Sequence, residues 1–522
     1  MKKALAIVLL VIMLIQLFAS CNNIPDEPVN EEPQKAHITL AVSQAGDDST
    51  ADGTAEKPFA TISEAVKSAF LLGGDKYSTI DILIGEGTYT LDTSIVIKKI
   101  EDYPPIRFLG EGSVTINGQA STGLFEIYCD GITLKNLKLN GSLGNGIVVS
   151  ADNFALLDCE IANISGEYAL KAVGSNITIT GNHIHDCSGS AVFVSSGDMK
   201  TLTKSNSKIY NNLIHDYGTR DETTDVGIGA YGVGITVSHN EIQSSPSAAI
   251  VFNGAYNVIE YNKISDIAQN GAEIGAISTR GIVQVGNVIR YNHIQNIGDR
   301  ANPATNNSKS VAIKCEDAAS YYEIYGNIIE AVSGNGIKLD SRHATIRNNL
   351  LIDCSNWYVW HVTSNYFDHF KWGNNGKLKV PDYIYSPVWK EANPDLASLI
   401  TDLSQTTFTD PRAWSAPVGI TLENNLVYFN RYGRAFSNWG TAPYSVDEAV
   451  FRFSGETVEL EGPFDHGSKN ITEYNSKRNK IVIEDLLAES AGLVDLDIER
   501  FNKIGRVMTE WNLDKITANM EE

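Results

Sequence analysis

A pattern of six residues recurs along the middle of the chain: an apolar residue, two variable residues, Asn, a further variable residue and an aliphatic one. It reads IEYNKI at 259–264 and IRYNHI at 289–294. Successive copies place a polar residue at Asn136, Asp158, Asn182, Asn212, Asn240, Asn262, Asn292, Asn327, Asn349 and Asn425. The separations are 22, 24, 30, 28, 22, 30, 35, 22 and 76 residues. A minimum near 22 with a variable excess predicts an all-β, parallel β-helix with three short strands per turn and loops of free length at the corners.

Apolar and polar residues also alternate within each copy, as in SNITITG at 175–181. Alternation with a period of two sends every second side chain into the interior of a solenoid. The recurrent Asn then falls at a bend between strands, where Asn tolerates a left-handed backbone and its amide can bond to the same amide one turn away. We therefore predict that the asparagine column is structural.

The two ends of the chain differ from this repeat. Residues 1–20 combine two lysines with an unbroken apolar run and read as a signal peptide. The following LFASC resembles a bacterial lipobox, which predicts a lipid anchor at Cys21, export to the cell envelope, and an acidic, proline-containing tether over 21–36. The segment 52–70 predicts an amphipathic helix that caps a right-handed solenoid spanning 37–435. Segments such as 449–460 and 479–487 predict strands in a β-rich C-terminal cap over 436–522.

The long gap between Asn349 and Asn425 predicts an insertion at about 355–417 that is rich in aromatic residues. Sugar rings stack on aromatic faces, so part of this insertion is expected to line a cleft and part to form its own small core. Candidate substrate-binding residues here are Trp360, His361 and Trp372.

Charged residues interrupt the strand pattern in three consecutive stretches, 271–281, 311–320 and 337–346. Residues in register on adjacent turns lie about 4.8 Å apart. Carboxyls at such spacing suit glycoside cleavage, in which one with a raised pKa donates a proton and the other attacks the sugar carbon or activates water. The predicted catalytic residues are Glu273, Glu316 and Asp317, and the predicted substrate-binding residues are Arg280, Lys314, Asp340 and Arg342. Adjacent side chains alternate in direction, so only one of Glu316 and Asp317 is expected to reach the cleft.

Several of these stretches resemble secreted bacterial β-helix proteins that include glycoside hydrolase family 141. The matching segments, in order, are EIGAISTRG, KCEDAAS, LDSRHA and VPDYIYSPVWKEANPDL, the last at 380–396. The resemblance implies a β-helix of the pectin-lyase type and activity on plant cell-wall glycans. The chain departs from the family at WHVTSNYF (360–367), where an Asp-Ala-Arg-Gly stretch would be expected.

Charge and composition limit the possible partners, disulfides and metal sites. A net charge of −22 argues against nucleic acid or anionic polymers as partners attracted over long range, but it leaves open an acidic sugar held locally by a few arginines. Five cysteines beyond Cys21 show no close pair and predict buried thiols. Three histidines beside ladder asparagines, His183, His185 and His215, are interpreted as stacked surface residues, and no metal site is predicted.

Three functions remain open: a monomeric glycoside hydrolase acting on a polysaccharide or oligosaccharide, a polysaccharide lyase, and a non-catalytic glycan-binding lipoprotein. No cofactor is predicted for the first. Ca²⁺ would be a candidate cofactor for the lyase, which would recruit Lys314, Arg342 and His343.

Overall fold

The computed structural model describes residues 36–72, 77–98, 103–118, 121–269, 274–298, 310–360, 380–401, 412, 419–423, 425–428, 436–438, 451–454, 457–459, 483–484, 487 and 498–507. Within these residues the chain is a right-handed parallel β-helix of about ten turns with little helix. Its strands pair in parallel with the strands one turn before and after, which forms three long sheets, named A, B and C here. The predicted fold class is confirmed.

Twelve strands belong to sheet A alone: β1 (Ala36–Val42), β2 (Tyr77–Ile84), β5 (Ile106–Gly110), β8 (Ile132–Lys135), β11 (Ala155–Leu157), β14 (Thr178–Thr180), β17 (Lys208–Tyr210), β20 (Thr236–Ser238), β23 (Val258–Glu260), β26 (Asn287–Arg290), β31 (Ile420–Glu423) and β34 (Phe451–Ser454).

Eleven belong to sheet B alone: β3 (Gly87–Thr90), β6 (Val114–Gly118), β9 (Lys138–Ser142), β12 (Glu160–Ile164), β15 (His183–Cys187), β18 (Leu213–Tyr217), β21 (Glu241–Ser245), β24 (Lys263–Ile267), β27 (His293–Ile297), β32 (Leu426–Tyr428) and β35 (Thr457–Glu459).

Nine belong to sheet C alone: β4 (Ile95–Ile97), β7 (Phe125–Ile127), β10 (Ile147–Ser150), β13 (Tyr168–Val173), β16 (Ser190–Ser196), β19 (Val226–Val233), β22 (Ala248–Ala255), β25 (Gly275–Arg280) and β33 (Phe436–Asn438). Three longer strands turn corners and join more than one sheet: β28 (Val311–Tyr325), β29 (Ile328–Arg347) and β30 (Leu350–Trp360).

The helical elements are few. The first helix, α1 (Ile62–Leu71), begins after Thr61, whose hydroxyl accepts the backbone N–H of Glu64. It buries Ile62, Ala65, Val66 and Ala69 and packs against the first strands of the solenoid. Among the described residues, further helical elements are α2 (Pro387–Ala392), α3 (Ile498–Phe501), the 3₁₀ turns Asp382–Tyr385 and Leu396–Ser398, and isolated helical positions at 483, 484 and 487. In the described part of the chain, no helix is long and apolar enough to span a membrane.

The asparagine column lies in a dry corner between sheets A and B. Eight fully buried asparagines follow one another along it: Asn182, Asn212, Asn240, Asn262, Asn292, Asn327, Asn349 and Asn425. Each side-chain Nδ2 donates to the Oδ1 of the next asparagine at 2.9–3.0 Å. Each Oδ1 from Asn212 onward also accepts the backbone N–H of the preceding asparagine, at 3.0–3.1 Å. The ladder satisfies polar groups that water cannot reach, as predicted for a structural column.

Two details of that prediction were wrong. The left-handed residue is the one before each ladder asparagine, for example Tyr261 at φ 53° and Tyr291 at φ 56°. In the first two copies, Asn136 and Asp158 themselves take this left-handed position, and buried Leu137 and Cys159 occupy the column. The ladder therefore begins at Asn182, whose Oδ1 accepts the backbone N–H of Cys159 at 2.9 Å.

The C-terminal region contains both strands and helix. Strands β33, β34 and β35 extend sheets C, A and B by parallel pairing. The predicted strand over 479–487 was wrong where the structure describes it, because Ile483, Glu484 and Leu487 are helical. The segment 498–507 then packs along the corner between sheets A and B. There the N–H of Gly505 donates to the Tyr261 carbonyl, and Phe501 contacts the ring of His293.

The interior is filled by aliphatic side chains from all three sheets, many of them isoleucines with no exposed surface. The predicted buried thiols are confirmed: Cys129, Cys159, Cys187, Cys315 and Cys354 are all buried. The helical cap and the predicted domain boundaries stay predictions.

Candidate functional site

The charged residues predicted on neighbouring turns lie mainly on the outer face of sheet C. Arg280 ends β25 and is exposed, and Glu316 lies in register with it one turn later on β28. Lys314 on β28 is in register with Lys338 on β29. Lys338 is a site residue that the sequence analysis did not select, although it lies within the charged stretch 337–346. The geometry thus brings together Arg280, Lys314 and Glu316 as predicted, and adds Lys338.

Glu316 is held between two lysines. Its Oε2 is 3.0 Å from the Nζ of Lys314, and its Oε1 is 2.7 Å from the Nζ of Lys338. We call these three residues the lysine–glutamate group. Burial alone would raise the pKa of the Glu316 carboxyl, but the charges of both lysines and their hydrogen bonds outweigh burial and hold the pKa below its usual value. Glu316 is therefore an anion at neutral pH, which suits the role of ionised carboxylate and not that of proton donor.

The strand geometry explains how Lys314 fits into the lysine–glutamate group. A side chain at Gly275, one turn earlier, would come within 2.5 Å of the Lys314 Cβ. The absence of a side chain there leaves room for the aliphatic stem of the lysine.

Asp317 does not obey simple strand alternation. Its φ is 56°, and the register between β28 and β29 shifts between Cys315 and Ala319. A bulge of this kind redirects side chains. Both Glu316 and Asp317 keep partial exposure, and the expectation that only one of them reaches the cleft stays a prediction.

The structure does not describe the side chains of several predicted site residues. Glu273, His361 and Trp372 lie outside the described residues, as does Cys21. Asp340 and Trp360 lie in strands β29 and β30, and only their backbone is described. Their roles stay predictions.

Arg342 is buried more deeply than the members of the lysine–glutamate group. Only 3% of it is exposed, and it lies in register with buried Ser320. Burial lowers the pKa of its guanidinium to about 10, against the opposing influence of Asp395 and Tyr321. The expectation that Arg342 binds substrate on the open face therefore does not match its buried position. It lies within the electrostatic influence of Asp395 in the insertion and of Tyr321.

The described part of the insertion packs on the corner between sheets C and A. The Oδ2 of Asp395 accepts the Tyr321 hydroxyl at 2.9 Å and lies 2.7 Å from the Nε2 of His343. Trp389 is fully buried, and its indole N–H donates to the Met199 carbonyl at 2.6 Å. This tryptophan packs in a core shared by the insertion and the β-helix, where its buried neighbours include Val233 and Val285. A core formed by the insertion alone stays a prediction. Trp389 lies on α2, which ends at Ala392, ahead of Asn393 and Pro394.

Earlier turns of the same outer face carry an aromatic strip that the sequence analysis missed. The rings of Tyr168 and Phe193 lie 5.3 Å apart, and those of Phe193 and Tyr231 lie 5.2 Å apart. The ammonium of Lys171 lies 5.1 Å from the Tyr168 ring centre. Gly229, in register with Phe193, leaves space for the stack, since a Cβ there would come within 3.3 Å of both neighbouring rings. Alternation in the sequence points Phe193 and Tyr231 outward, but their alignment depends on the corner loops.

The charge of this face differs from that of the whole chain. The cations Lys171, Arg280, Lys314 and Lys338 lie along sheet C together with the carboxylates Glu126 on β7 and Glu316 on β28, while the whole chain carries −22. A surface with aromatic rings at one end and cations at the other can bind a sugar chain by stacking and by hydrogen bonds to acidic groups.

A second cluster lies on a different sheet. Among the residues that the structure describes, one group of three has donor atoms close enough to share a metal ion: His183, His185 and His215, on the outer face of sheet B. We call it the histidine group.

Comparison with known proteins bears on the fold. The model of the right-handed beta helix region matches residues 122–221 and 226–375. None of the curated proteins compared with the chain matches it.

Among solved structures, the chain is similar to one titled a glycoside hydrolase, with 10% identity, a TM-score of 0.45, and coverage of 61% of this chain and 94% of that one. It is similar to a PL6 family polysaccharide lyase from Pseudopedobacter saltans, with 13% identity, a TM-score of 0.46, and coverage of 78% and 93%. It is also similar to a GH136 lacto-N-biosidase from Eubacterium ramulus, with 11% identity, a TM-score of 0.39, and coverage of 81% and 68%. By its strand pairing and by the family model that it matches, the chain is a right-handed parallel β-helix protein.

Proposed function

We propose that this protein is a carbohydrate-active enzyme that binds an acidic polysaccharide along the outer face of sheet C and cleaves it beside the lysine–glutamate group. The observation that carries the proposal is the position of Glu316, an ionised carboxylate between Lys314 and Lys338 and in register with the exposed Arg280. Charged side chains in this arrangement are costly to bury, and they are expected where a charged ligand or a reaction uses them.

The aromatic strip supports a sugar ligand. Tyr168, Phe193 and Tyr231 present partly exposed rings on the same sheet, and such rings stack on the apolar faces of pyranoses. Sheet C is continuous from β13 to β29, so one extended chain of sugars can contact both the rings and the cations. The cations favour sugars with carboxylate groups, because an ammonium or guanidinium forms a strong hydrogen bond with a carboxylate.

We propose hydrolysis as the reaction. A glycosidase needs one ionised carboxylate and one carboxyl that holds its proton. The low pKa of Glu316 supports the first role for this residue. Asp317 on the adjoining bulge, Asp340 and Glu273 are the candidates for the second, and the resemblance of 380–396 to glycoside hydrolase family 141 agrees with this assignment.

The two lysines favour a second candidate, β-elimination from a uronate sugar. In that reaction cations neutralise the uronate carboxylate and a base removes the neighbouring proton. Lys314 and Lys338 would supply the positive charge. Arg342 and His343 are poorer candidates for the same task, since the first is buried and the second lies against Asp395.

The test is to incubate the purified full chain with fucosylated, xylan and pectic oligosaccharides, following new reducing ends and the ultraviolet absorbance of unsaturated sugars together. Reducing ends without absorbance would support hydrolysis, and both together would support elimination. The Glu316→Gln variant should lose activity in either case. Glu323→Gln is the matched control, because Glu323 lies on the same strand but in sheet A, with an exposed carboxylate 3.6 Å from Arg347. Absence of cleavage with retained glycan binding would instead indicate a receptor.

We also propose that the protein is exported and anchored through Cys21 as a monomer. The apolar run and lipobox-like LFASC support this proposal. A Cys21→Ala variant should remain exported but no longer incorporate labelled fatty acid.

A further inference from the structure

The histidine group does not belong to the proposed glycan site. His183 and His185 lie on β15, and His215 lies on β18, one turn later, on the outer face of sheet B. His185 and His215 are in register, and their rings are nearly parallel at 12° with centroids 5.2 Å apart. His183 stacks on His185 at 4.2 Å. The three imidazoles are thus fixed by the strand register.

The donor atoms of the group converge. The Nε2 of His183 lies 2.7 Å from the Nε2 of His215, and one ring nitrogen from each histidine lies within 4.8 Å of the others. Zinc–nitrogen bonds of about 2.0–2.1 Å place tetrahedral donors roughly 3.3 Å apart, so small side-chain rotations would bring all three donors to one ion.

Two carboxylates hold the rings in the tautomer that a metal needs. The Oδ2 of Asp186 lies 2.7 Å from the Nδ1 of His185, and the Oδ2 of Asp216 lies 2.6 Å from the Nδ1 of His215. Each Nδ1–H therefore donates to a carboxylate, which leaves the Nε2 lone pair of each ring facing the shared space. A carboxylate behind a ligating imidazole is the usual outer support of a zinc site.

The surroundings carry enough negative charge for a divalent ion. Glu160 lies 3.6 Å from the Nε2 of His185, in addition to Asp186 and Asp216 behind the rings. The nearby cations are Lys138, which lies 3.8 Å from Glu160, and Arg506, whose charge acts on His183. The three carboxylates outnumber these two cations, so the surroundings of the histidine group carry net negative charge.

We propose that His183, His185 and His215 bind one late first-row divalent cation, with Zn²⁺ as the ion that this donor set suits best, and that the ion clamps two turns of the solenoid. Imidazole nitrogen is a preferred ligand of Zn²⁺, and three such ligands leave a fourth position, which Glu160 or water can fill. This proposal replaces the earlier interpretation of the histidines as stacked surface residues only.

The test is calorimetric titration of the metal-free full chain with Zn²⁺, together with Co²⁺ binding followed by visible absorption. We expect one ion per chain and a tetrahedral Co²⁺ spectrum. His215→Ala should abolish binding. Asp216→Asn should keep the three ligands but weaken binding about 10- to 100-fold, as expected for the loss of an outer carboxylate. His293→Gln is the matched control, because His293 lies on the same face of sheet B but pairs with Glu330, and it should leave affinity unchanged.

Two results would overturn the proposal. One is the absence of Zn²⁺ binding at micromolar concentration in the wild-type chain, a measurement that does not depend on any variant folding. The other is binding that His215→Ala and Asp216→Asn, each folded by circular dichroism, leave unchanged.

Discussion

The lysine–glutamate group and the histidine group occupy outer faces of the same solenoid, yet they satisfy their charges in different ways. In the first, an anion lies between two cations at 2.7 and 3.0 Å, so the group is complete without a ligand. In the second, ring nitrogens converge in front of supporting carboxylates, an arrangement that can accept a cation. Both groups lie on parallel strands one turn apart, in sheets C and B. The side chains on these strands therefore decide whether a surface suits a glycan or an ion.

The largest expected effect comes from removing the anion of the first group. Glu316→Ala would leave two largely buried lysines facing each other, and breaking a buried ion pair in this way costs about 3 kcal/mol of unfolding free energy. Urea denaturation measures the loss. Glu323→Ala, which removes an exposed pairing, should cost less than about 1 kcal/mol. Equal losses in the two variants would mean that Glu316 and its two lysines stabilise the fold no more than an exposed ion pair does.

Binding of Zn²⁺ to the histidine group should raise the unfolding free energy of the chain, by slightly less than Glu316→Ala lowers it. Zn²⁺ at 100 times its Kd raises the unfolding free energy by about 2.7 kcal/mol if only the folded chain binds it. Thermal unfolding with Zn²⁺ and with a chelator measures this difference. The increase should vanish in His215→Ala, and its persistence there would locate the ion elsewhere.

A smaller effect is expected on glycan affinity. Arg280→Ala removes an exposed cation from the face of sheet C and should raise the Kd for a pectic oligosaccharide about tenfold, which corresponds to about 1.4 kcal/mol. Calorimetric titration at two salt concentrations checks this value, because binding through exposed charges weakens with salt. Arg347→Ala, on sheet A, is the control and should have no effect. An unchanged Kd in Arg280→Ala would show that the acidic sugar does not bind near this part of sheet C.

The smallest effect is a pH dependence of stability. Because the folded pKa of Glu316 lies below its unfolded value, ionised Glu316 stabilises the fold above the usual glutamate pKa of about 4.3. This stabilisation should be lost as the pH falls from that value through the lower folded pKa. Unfolding free energies across this range should fall less steeply in Glu316→Gln than in the wild type. Parallel profiles would show that the two lysines do not lower the pKa of this carboxyl.

The solenoid itself could be predicted well, because its signals are local and recur on every turn. The sequence predicts the asparagine column, but it wrongly places Asn136 and Asp158 in the column itself. Both residues occupy the left-handed position just before it. That error has a simple cause: asparagine suits both the left-handed corner and the ladder next to it, so its identity alone does not separate the two positions.

The candidate site was predicted in part. The charged stretches indicated that Arg280, Lys314 and Glu316 would lie close together, but not the pairing with Lys338 or the burial of Arg342. Both arginines follow a strand-like pattern in the sequence. What distinguishes them is the insertion around Asp395, which packs near Arg342 from more than fifty residues away.

The parallel β-helix, the dry asparagine corner and the three charged stretches follow from the sequence alone, because alternation and corner residues act over a few positions. Only the tertiary structure decided which side chains from different turns meet. His185 aligns with His215 and His183 with Leu213 because a loop of particular length separates their strands. A variable loop adds residues without a regular offset, so contacts between turns follow from the backbone hydrogen bonds of neighbouring strands and not from spacing along the chain.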